Sequence, residues 1–295
     1  MTRIVVRMIG GLGNQLFIYA AARRLALVNN AELVLDDVSG FAHDTVYQRH
    51  YQLDHLNIPC RKATAVERLE PFSRVRHTLK QKWNQRLPFA RRHYLVQEGI
   101  DFDPRMVHFK PRGTVYLEGY WQSENYFKDV ADTLCKELQI KQPIDAANVA
   151  MADRIRRQSA VAVHVRFFNE SRVSGIDNVP VDYYKRAIAE MEYRVPNAHY
   201  YLFSDCPEVV RNYIELPEKC ITIVDHNQGD TLAYADLWLM TQCKHFIIAN
   251  STFSWWGAWL AVYKEKQIIA PGYEKRQGKN FWGFQGLLPD SWIKL

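Results

Sequence analysis

With 295 residues, 47% of them hydrophobic and 13% aromatic, the chain has apolar surface enough for two cores, and the composition excludes disorder as its general state. Five cysteines, odd in number and without a C-x-x-C pair, argue against a disulfide framework or a zinc cluster and fit reduced thiols in a cytosolic setting. The net charge of +6 is localised: residues 61–92 hold ten Lys or Arg against two Glu, a net +8, which leaves −2 for everything else.

The apolar run Ile4-Val5-Val6-Arg7-Met8-Ile9 predicts a buried strand over residues 3–9, followed by the turn "GGLGN", a helix over 14–28 and a second strand over 32–35. A strand running into glycines and then a helix often cradles a phosphate, because the helix N-terminus offers unpaired N–H groups and glycine lets a ligand approach. Residues 36–112 are less regular. Within the basic segment Leu69, Phe72, Val75, Leu79, Trp83 and Leu87 recur at helical spacing among cations, broken by Pro71 and Pro88. Two readings stand for it: a solvated helix packed on its domain, or a surface for anionic lipid or a lipid-diphosphate acceptor. Nucleic acid is disfavoured, since a basic stripe comes here without a recognised binding module. "GTVYLEGYW" then predicts a strand, "NYFKDVADTLCKELQI" an amphipathic helix, and residues 142–158 a linker with a short helix.

From residue 160 onward the strands "AVAVHVRF", "HYYLFSD", "CITIVD", "HFIIAN" and "QIIAP" alternate with helical segments. That alternation predicts parallel βαβ units with right-handed crossovers and a ligand outside the carboxyl ends of the strands. The short N-terminal apolar run predicts no signal peptide, and no stretch reaches the ~18 uncharged apolar residues of a membrane span. A soluble protein, at most peripheral to a membrane, is expected.

Gly11-x-Gly13 alone is an incomplete dinucleotide fingerprint, because Leu16 stands where the next glycine belongs, and a turn with only a packing role would use the same glycines. Asn14 and Gln15 add polar donors at the helix start. The strand "AVAVHVRF" puts His164 and Arg166 on one face at its carboxyl end, and the planar fork of an arginine suits a diphosphate. Ser204 and Asp205 end the next strand, and "NSTFS", residues 250–254, follows "HFIIA". There Ser251, Thr252 or Ser254 serves as a helix N-cap, a role compatible with anion binding at the same terminus. Asp101-Phe102-Asp103 is a D-x-D of the kind that holds Mn²⁺, but it lies at no clear strand end, and turn chemistry ahead of Pro104 accounts for it adequately.

Together "GGLGNQLFIYA", "VAVHVR", "FSD" and "DLWLMTQCKHFIIANSTFSWWGAWLA", in this order over residues 10–261, resemble the bacterial α-1,2-fucosyltransferases of glycosyltransferase family 11. The resemblance implies an α/β fold of GT-B type, with two Rossmann-like domains and the donor site in the cleft. The expected limits are residues 1–145, an acceptor-side domain carrying the basic insert 61–92, and residues 160–295, the nucleotide-sugar domain. It further implies GDP-fucose as donor, the 2-hydroxyl of a β-galactoside in a surface glycan such as O-antigen as acceptor, inversion, and no metal or other cofactor. The expected acceptor is a galactose-terminated oligosaccharide and the expected location the cytoplasm; on the lipid-surface reading of the basic segment, the acceptor is lipid-linked and the location the inner face of the membrane.

By the same resemblance Arg166 of the H-x-R motif binds the diphosphate, with His164 beside it, and Asn14 faces the phosphate and the transferred sugar while Gly11 and Gly13 let the donor approach. Ser204, Asp205, Asn250, Ser251, Thr252, Phe253 and Ser254 match segments around the nucleotide, and Asp236 a helix aspartate that touches guanine or caps a loop. Many relatives continue as H-x-R-R-x-D, whereas this chain reads His164-Val165-Arg166-Phe167-Phe168-Asn169-Glu170, so Glu170 is the remaining carboxylate to serve as base. The rival readings are a non-catalytic GDP-sugar sensor, a D-x-D Mn²⁺-dependent glycosyltransferase and a dinucleotide-dependent oxidoreductase.

Overall fold

The computed structural model describes residues 2–42, 44–45, 47–167, 178–272 and 282–295. The chain divides into two units, Met1–Gln139 with Gln285–Leu287, and Ile140–Phe284 with Leu288–Leu295. The division thus falls ahead of the expected linker, and three late residues return to the first unit.

In the first unit β1 (Arg3–Arg7), α1 (Leu12–Val28), β2 (Glu32–Asp36), β3 (Arg61–Lys62), α2 (Ser73–Gln85), β4 (Tyr94–Val96), α3 (Pro104–Val107), β5 (Thr114–Glu118) and α4 (Ala131–Glu137) follow one another. Ile4, Val5 and Val6 are β-branched and buried on both faces, which is what a central parallel strand demands. Ile4 pairs with Leu33 on one side and Val115 on the other, within a parallel sheet ordered β3-β2-β1-β5-β4. α1 ends in a Schellman turn: Asn30 takes the left-handed conformation (φ 48°) and the Ala31 N–H reaches the Ala26 carbonyl at 2.9 Å. The single helix expected over 125–140 is instead two short 3-10 turns followed by α4.

The second unit contains α5 (Ala146–Arg156), β6 (Ala160–Val165), α6 (Val181–Arg194), β7 (His199–Ser204), α7 (Pro207–Val210), β8 (Ile221–Val224), α8 (Ala233–Gln242), β9 (His245–Ile247), α9 (Thr252–Leu260), β10 (Ile268–Ala270) and β11 (Ile293–Lys294). Its parallel sheet runs β11-β10-β9-β6-β7-β8. All six residues of β6 are buried, so the strand reads as an apolar run interrupted only by His164. Val161, Val163 and Val165 each contribute on the order of 1.5–3 kcal/mol of burial before chain entropy is subtracted.

Both sheets reverse direction beside their first strand. In the first unit the chain steps outward from β1 through β2 to β3, crosses to β4 at the far edge and then enters β5 on the other flank of β1; in the second it steps from β6 through β7 to β8 and comes back to β9 beside β6. Such a reversal opens a crevice at the carboxyl ends of the two central strands, where ligands of doubly wound sheets bind. Each unit therefore has one topologically favoured binding edge. No helix among the described residues is long and apolar enough to cross a membrane.

Candidate functional site

At the reversal point of the second unit, β6 delivers His164 and Arg166. His164 is buried with its ring 5.6 Å from that of Phe253, and its backbone carbonyl accepts the Tyr184 hydroxyl at 3.1 Å. Its Nδ1 is buried without a hydrogen-bond partner among the described residues. Burial, with the Arg166 charge adding to it, pushes the imidazole pKa down to about 3. His164 is therefore neutral at physiological pH and offers a hydrogen bond rather than a charge.

Arg166 lies just past the strand end, where its Nη1 meets Oδ2 of Asp205 at 3.0 Å, with the two side chains 28% and 27% exposed. The other Asp205 oxygen accepts the backbone N–H of Phe167 at 3.0 Å. One carboxylate thus fixes the guanidinium and the backbone that follows it, so Asp205 acts through Arg166. Ser204 Oγ accepts the Cys206 N–H at 3.1 Å, which closes the turn after β7.

Beside β6, the segment 250–254 leads from β9 into α9. Ser251 is the N-cap and accepts the Phe253 N–H at 3.3 Å, Ser254 Oγ donates to the Ser251 carbonyl at 3.3 Å, and Asn250 and Ser254 are buried. No acidic side chain occupies the first turn of α9, so the helix itself places no negative charge at its N-terminal dipole. His164, Arg166, Ser204, Asp205 and residues 250–254 thus share the carboxyl edge of one sheet, and His164 touches Phe253.

Asp236 stands apart from them. Asn227 donates to it at 2.9 Å, Asn227 and Asn148 exchange two amide hydrogen bonds at 2.8 Å, and Asn148 also donates to Asp145, the N-cap of α5. Burial raises the Asp236 carboxyl to about 7, against the lowering effect of the Asn227 amide. The network ties the loop after β8 to α5 and α8. Glu170, with Phe168 and Asn169, lies outside the described residues.

The glycine turn occupies the reversal point of the first unit. Gly10 has φ +72°, and a Cβ there would come within 2.7 Å of the Asn14 amide nitrogen, so only glycine fits. Gly11 is the N-cap of α1 with no side-chain cap, and Gly13 is buried in the first turn. Asn14 Oδ1 accepts the Gln122 amide at 2.8 Å, which orients the side chain. Gln15, expected to offer donors to a ligand, is instead wholly committed internally. It is buried, donates to the Gly10 and His50 carbonyls at 2.8 Å each, and accepts the Gln52 N–H at 2.9 Å. By holding that loop it brings the Arg49 guanidinium to 3.7 Å from where a Gly11 Cβ would stand. Arg49 gave no sequence signal, because the contact depends on a loop some distance along the chain; Gln122, just beyond β5, could have been found by asking which polar residues follow strand ends.

The D-x-D carboxylates have structural partners. Asp103 N-caps α3 and pairs with Arg105 at 2.7 Å, and Asp101 accepts the Gln285 N–H at 2.9 Å. No cluster of three or more His, Cys, Asp or Glu able to hold a metal occurs among the described residues.

A model of Glycosyl transferase family 11 matches residues 3–281. The Escherichia coli protein named Alpha-1,2-colitosyltransferase is 28% identical over 303 residues, covering 100% of this chain and 99% of that protein. The E. coli O-antigen biosynthesis glycosyltransferase WbnK is 27% identical over 316 residues, covering 97% and 98%. Among solved structures, a mutant of Arabidopsis thaliana FUT1 in complex with GDP superposes with a TM-score of 0.52 at 14% identity, over 96% of this chain and 74% of that one, a likeness of fold.

Proposed function

The chain belongs to glycosyl transferase family 11, and we propose that it transfers L-fucose from GDP-fucose to the 2-hydroxyl of a β-galactoside in a surface glycan such as O-antigen, with inversion and without a metal. It is a glycosyltransferase with the two Rossmann-like α/β units of the GT-B type. The observation that carries the finer reading is Arg166, aimed by Asp205, beside neutral His164 and the N-terminus of α9 at one reversal point.

The chemistry asks for little else. As the bond between the anomeric carbon and the diphosphate oxygen breaks, negative charge moves onto the leaving GDP. Arg166 and the N–H groups opening α9 stabilise that charge more than they stabilise the bound donor. Neutral His164 contributes a directional hydrogen bond at no desolvation cost for an imidazolium. Asn14 is assigned to the transferred sugar; of the two roles expected for Asp236, its hydrogen bond from Asn227 supports holding the loop rather than touching guanine. Since cleavage leads, the acceptor oxygen attacks an already cation-like carbon, and its proton can pass late to a weak base. Glu170 is the proposed acceptor of that proton.

The relative named for α-1,2-colitosyl transfer supports the linkage and widens the donor question. Colitose is fucose without its 3-hydroxyl. Initial rates on a β-galactoside with GDP-fucose and with GDP-colitose, each in excess EDTA, test the proposal. Fucose transfer that persists in chelator supports it. Preference for colitose would move the donor assignment, activity restored only by Mn²⁺ would favour the D-x-D reading, and donor binding without turnover would favour a sensor.

A further inference from the structure

An amphipathic helix on a globular unit normally buries its apolar stripe and shows its polar face to water. α2 does the reverse. Its inward residues are His77, whose Nδ1 is 2.7 Å from the Tyr94 hydroxyl, and Asn84, whose Oδ1 accepts the N–H groups of His93 and Tyr94 at 2.6 and 3.0 Å. Phe72, just before the helix, and Val75, Leu79 and Trp83 within it are 76%, 56%, 63% and 59% exposed. At about 100° per residue the three helical side chains span an arc of about 80°, with Arg76, Lys82 and Arg86 within about 60° of its centre.

The surrounding charges divide into two groups. Arg61 is tied to Glu32 and Glu67, Lys62 to Asp54, and Arg68 to Glu70. Among the described residues no carboxylate pairs with Arg76, Lys82 or Arg86. Trp83 also walls a groove of about 470 Å³ whose lining is part apolar and part basic, the basic part being Arg91, Arg92, His93, Lys110 and Arg112, of which Arg92 pairs with Glu98.

We propose that this face of α2 is a docking surface for an anionic lipid bilayer. A convex apolar ridge flanked by cations suits an interface. Phe72, Val75, Leu79 and Trp83 enter the acyl boundary, while Arg76, Lys82 and Arg86 stay with the phosphates and the basic groove takes a further headgroup. A second copy of the chain is a poor occupant, because pairing this face with itself sets cations against cations. The proposal is independent of the donor and the acceptor.

The test is flotation of the full chain with phosphatidylglycerol–phosphatidylcholine vesicles and with pure phosphatidylcholine vesicles. Two triple variants are compared with the native chain, Val75→Ser/Leu79→Ser/Trp83→Ser and Arg76→Gln/Lys82→Gln/Arg86→Gln. These side chains point away from the unit, so circular dichroism should show both variants folded. The native chain is expected on the anionic vesicles only. Loss of three cations, each worth roughly fivefold near an anionic surface, weakens partitioning roughly 10²-fold, and loss of the ridge abolishes what persists at high salt. Absence of native binding, equal binding to pure phosphatidylcholine, folded variants that bind like the native chain, or a dimer in sedimentation that Leu79→Ser dissolves would each overturn the proposal.

Discussion

Replacing Arg166 by lysine keeps the charge and removes the fork. In the native chain one edge of the guanidinium is engaged with Asp205 at 3.0 Å, and its planarity lets it serve a second anion from the other edge without releasing the first. A lysine ammonium must choose or compromise. The folded state should barely notice: the ion pair is partly exposed, keeps its charges, and is worth up to about 1 kcal/mol. Donor affinity should fall less than about tenfold, because the charge still attracts the diphosphate. In the transition state the deficit is larger, since a preorganised donor to developing charge is worth about 2.7–4 kcal/mol, so turnover should fall 10²-fold or more. Donor titration and initial rates on one preparation separate the two quantities. Near-normal turnover in Arg166→Lys would refute the reasoning and leave Arg166 a residue that only attracts donor.

Asp205→Asn removes the group that aims Arg166, so turnover should fall about tenfold while GDP affinity holds or rises, a carboxylate having left the neighbourhood of the diphosphate; initial rates and GDP titration check both, and unchanged turnover would deny Asp205 its positioning role. Ser251→Ala removes the N-cap of α9 and should cost about 1 kcal/mol of unfolding free energy in urea, with no loss meaning the 3.3 Å contact contributes nothing. Asp236→Asn should change the pH dependence of stability. The folded-state pKa of about 7 lies above the unfolded value, so the native chain holds this proton more tightly than the unfolded chain does. That advantage is fully present below about pH 4 and is lost as pH rises toward 7, by up to about 1.4 kcal/mol per unit. The variant, which cannot ionise, should gain on the native chain in melting temperature between about pH 5 and pH 8, and parallel curves would contradict the burial cost.

The alternation of strands and helices beyond residue 160 was legible because parallel strands buried on both faces keep long apolar runs, as in β6, and their helices keep a 3.6-residue period. β3, β4 and β11 were not, because two or three residues carry no period. The spacing of His164 and Arg166 placed them on one strand end, but the partner of Arg166 was unreadable, since Asp205 reaches it from the neighbouring strand. Gln15 and Arg49 show the same limit: their surroundings are set by a loop that packs back on the glycine turn. In α2 the period announced a helix and could not say which face turned inward. That was decided by Asn84 and His77 satisfying groups of β4.

The most direct measurement is the linkage made. The native chain would be incubated with GDP-fucose and a panel of β-galactosides, and any product examined by NMR for the anomeric form of the new sugar and the carbon that bears it. The account predicts α-fucose on the 2-hydroxyl of galactose, formed equally well in EDTA. Fucose on another hydroxyl, retention of the donor's anomeric configuration, or bound GDP-fucose that is neither transferred nor hydrolysed would contradict it.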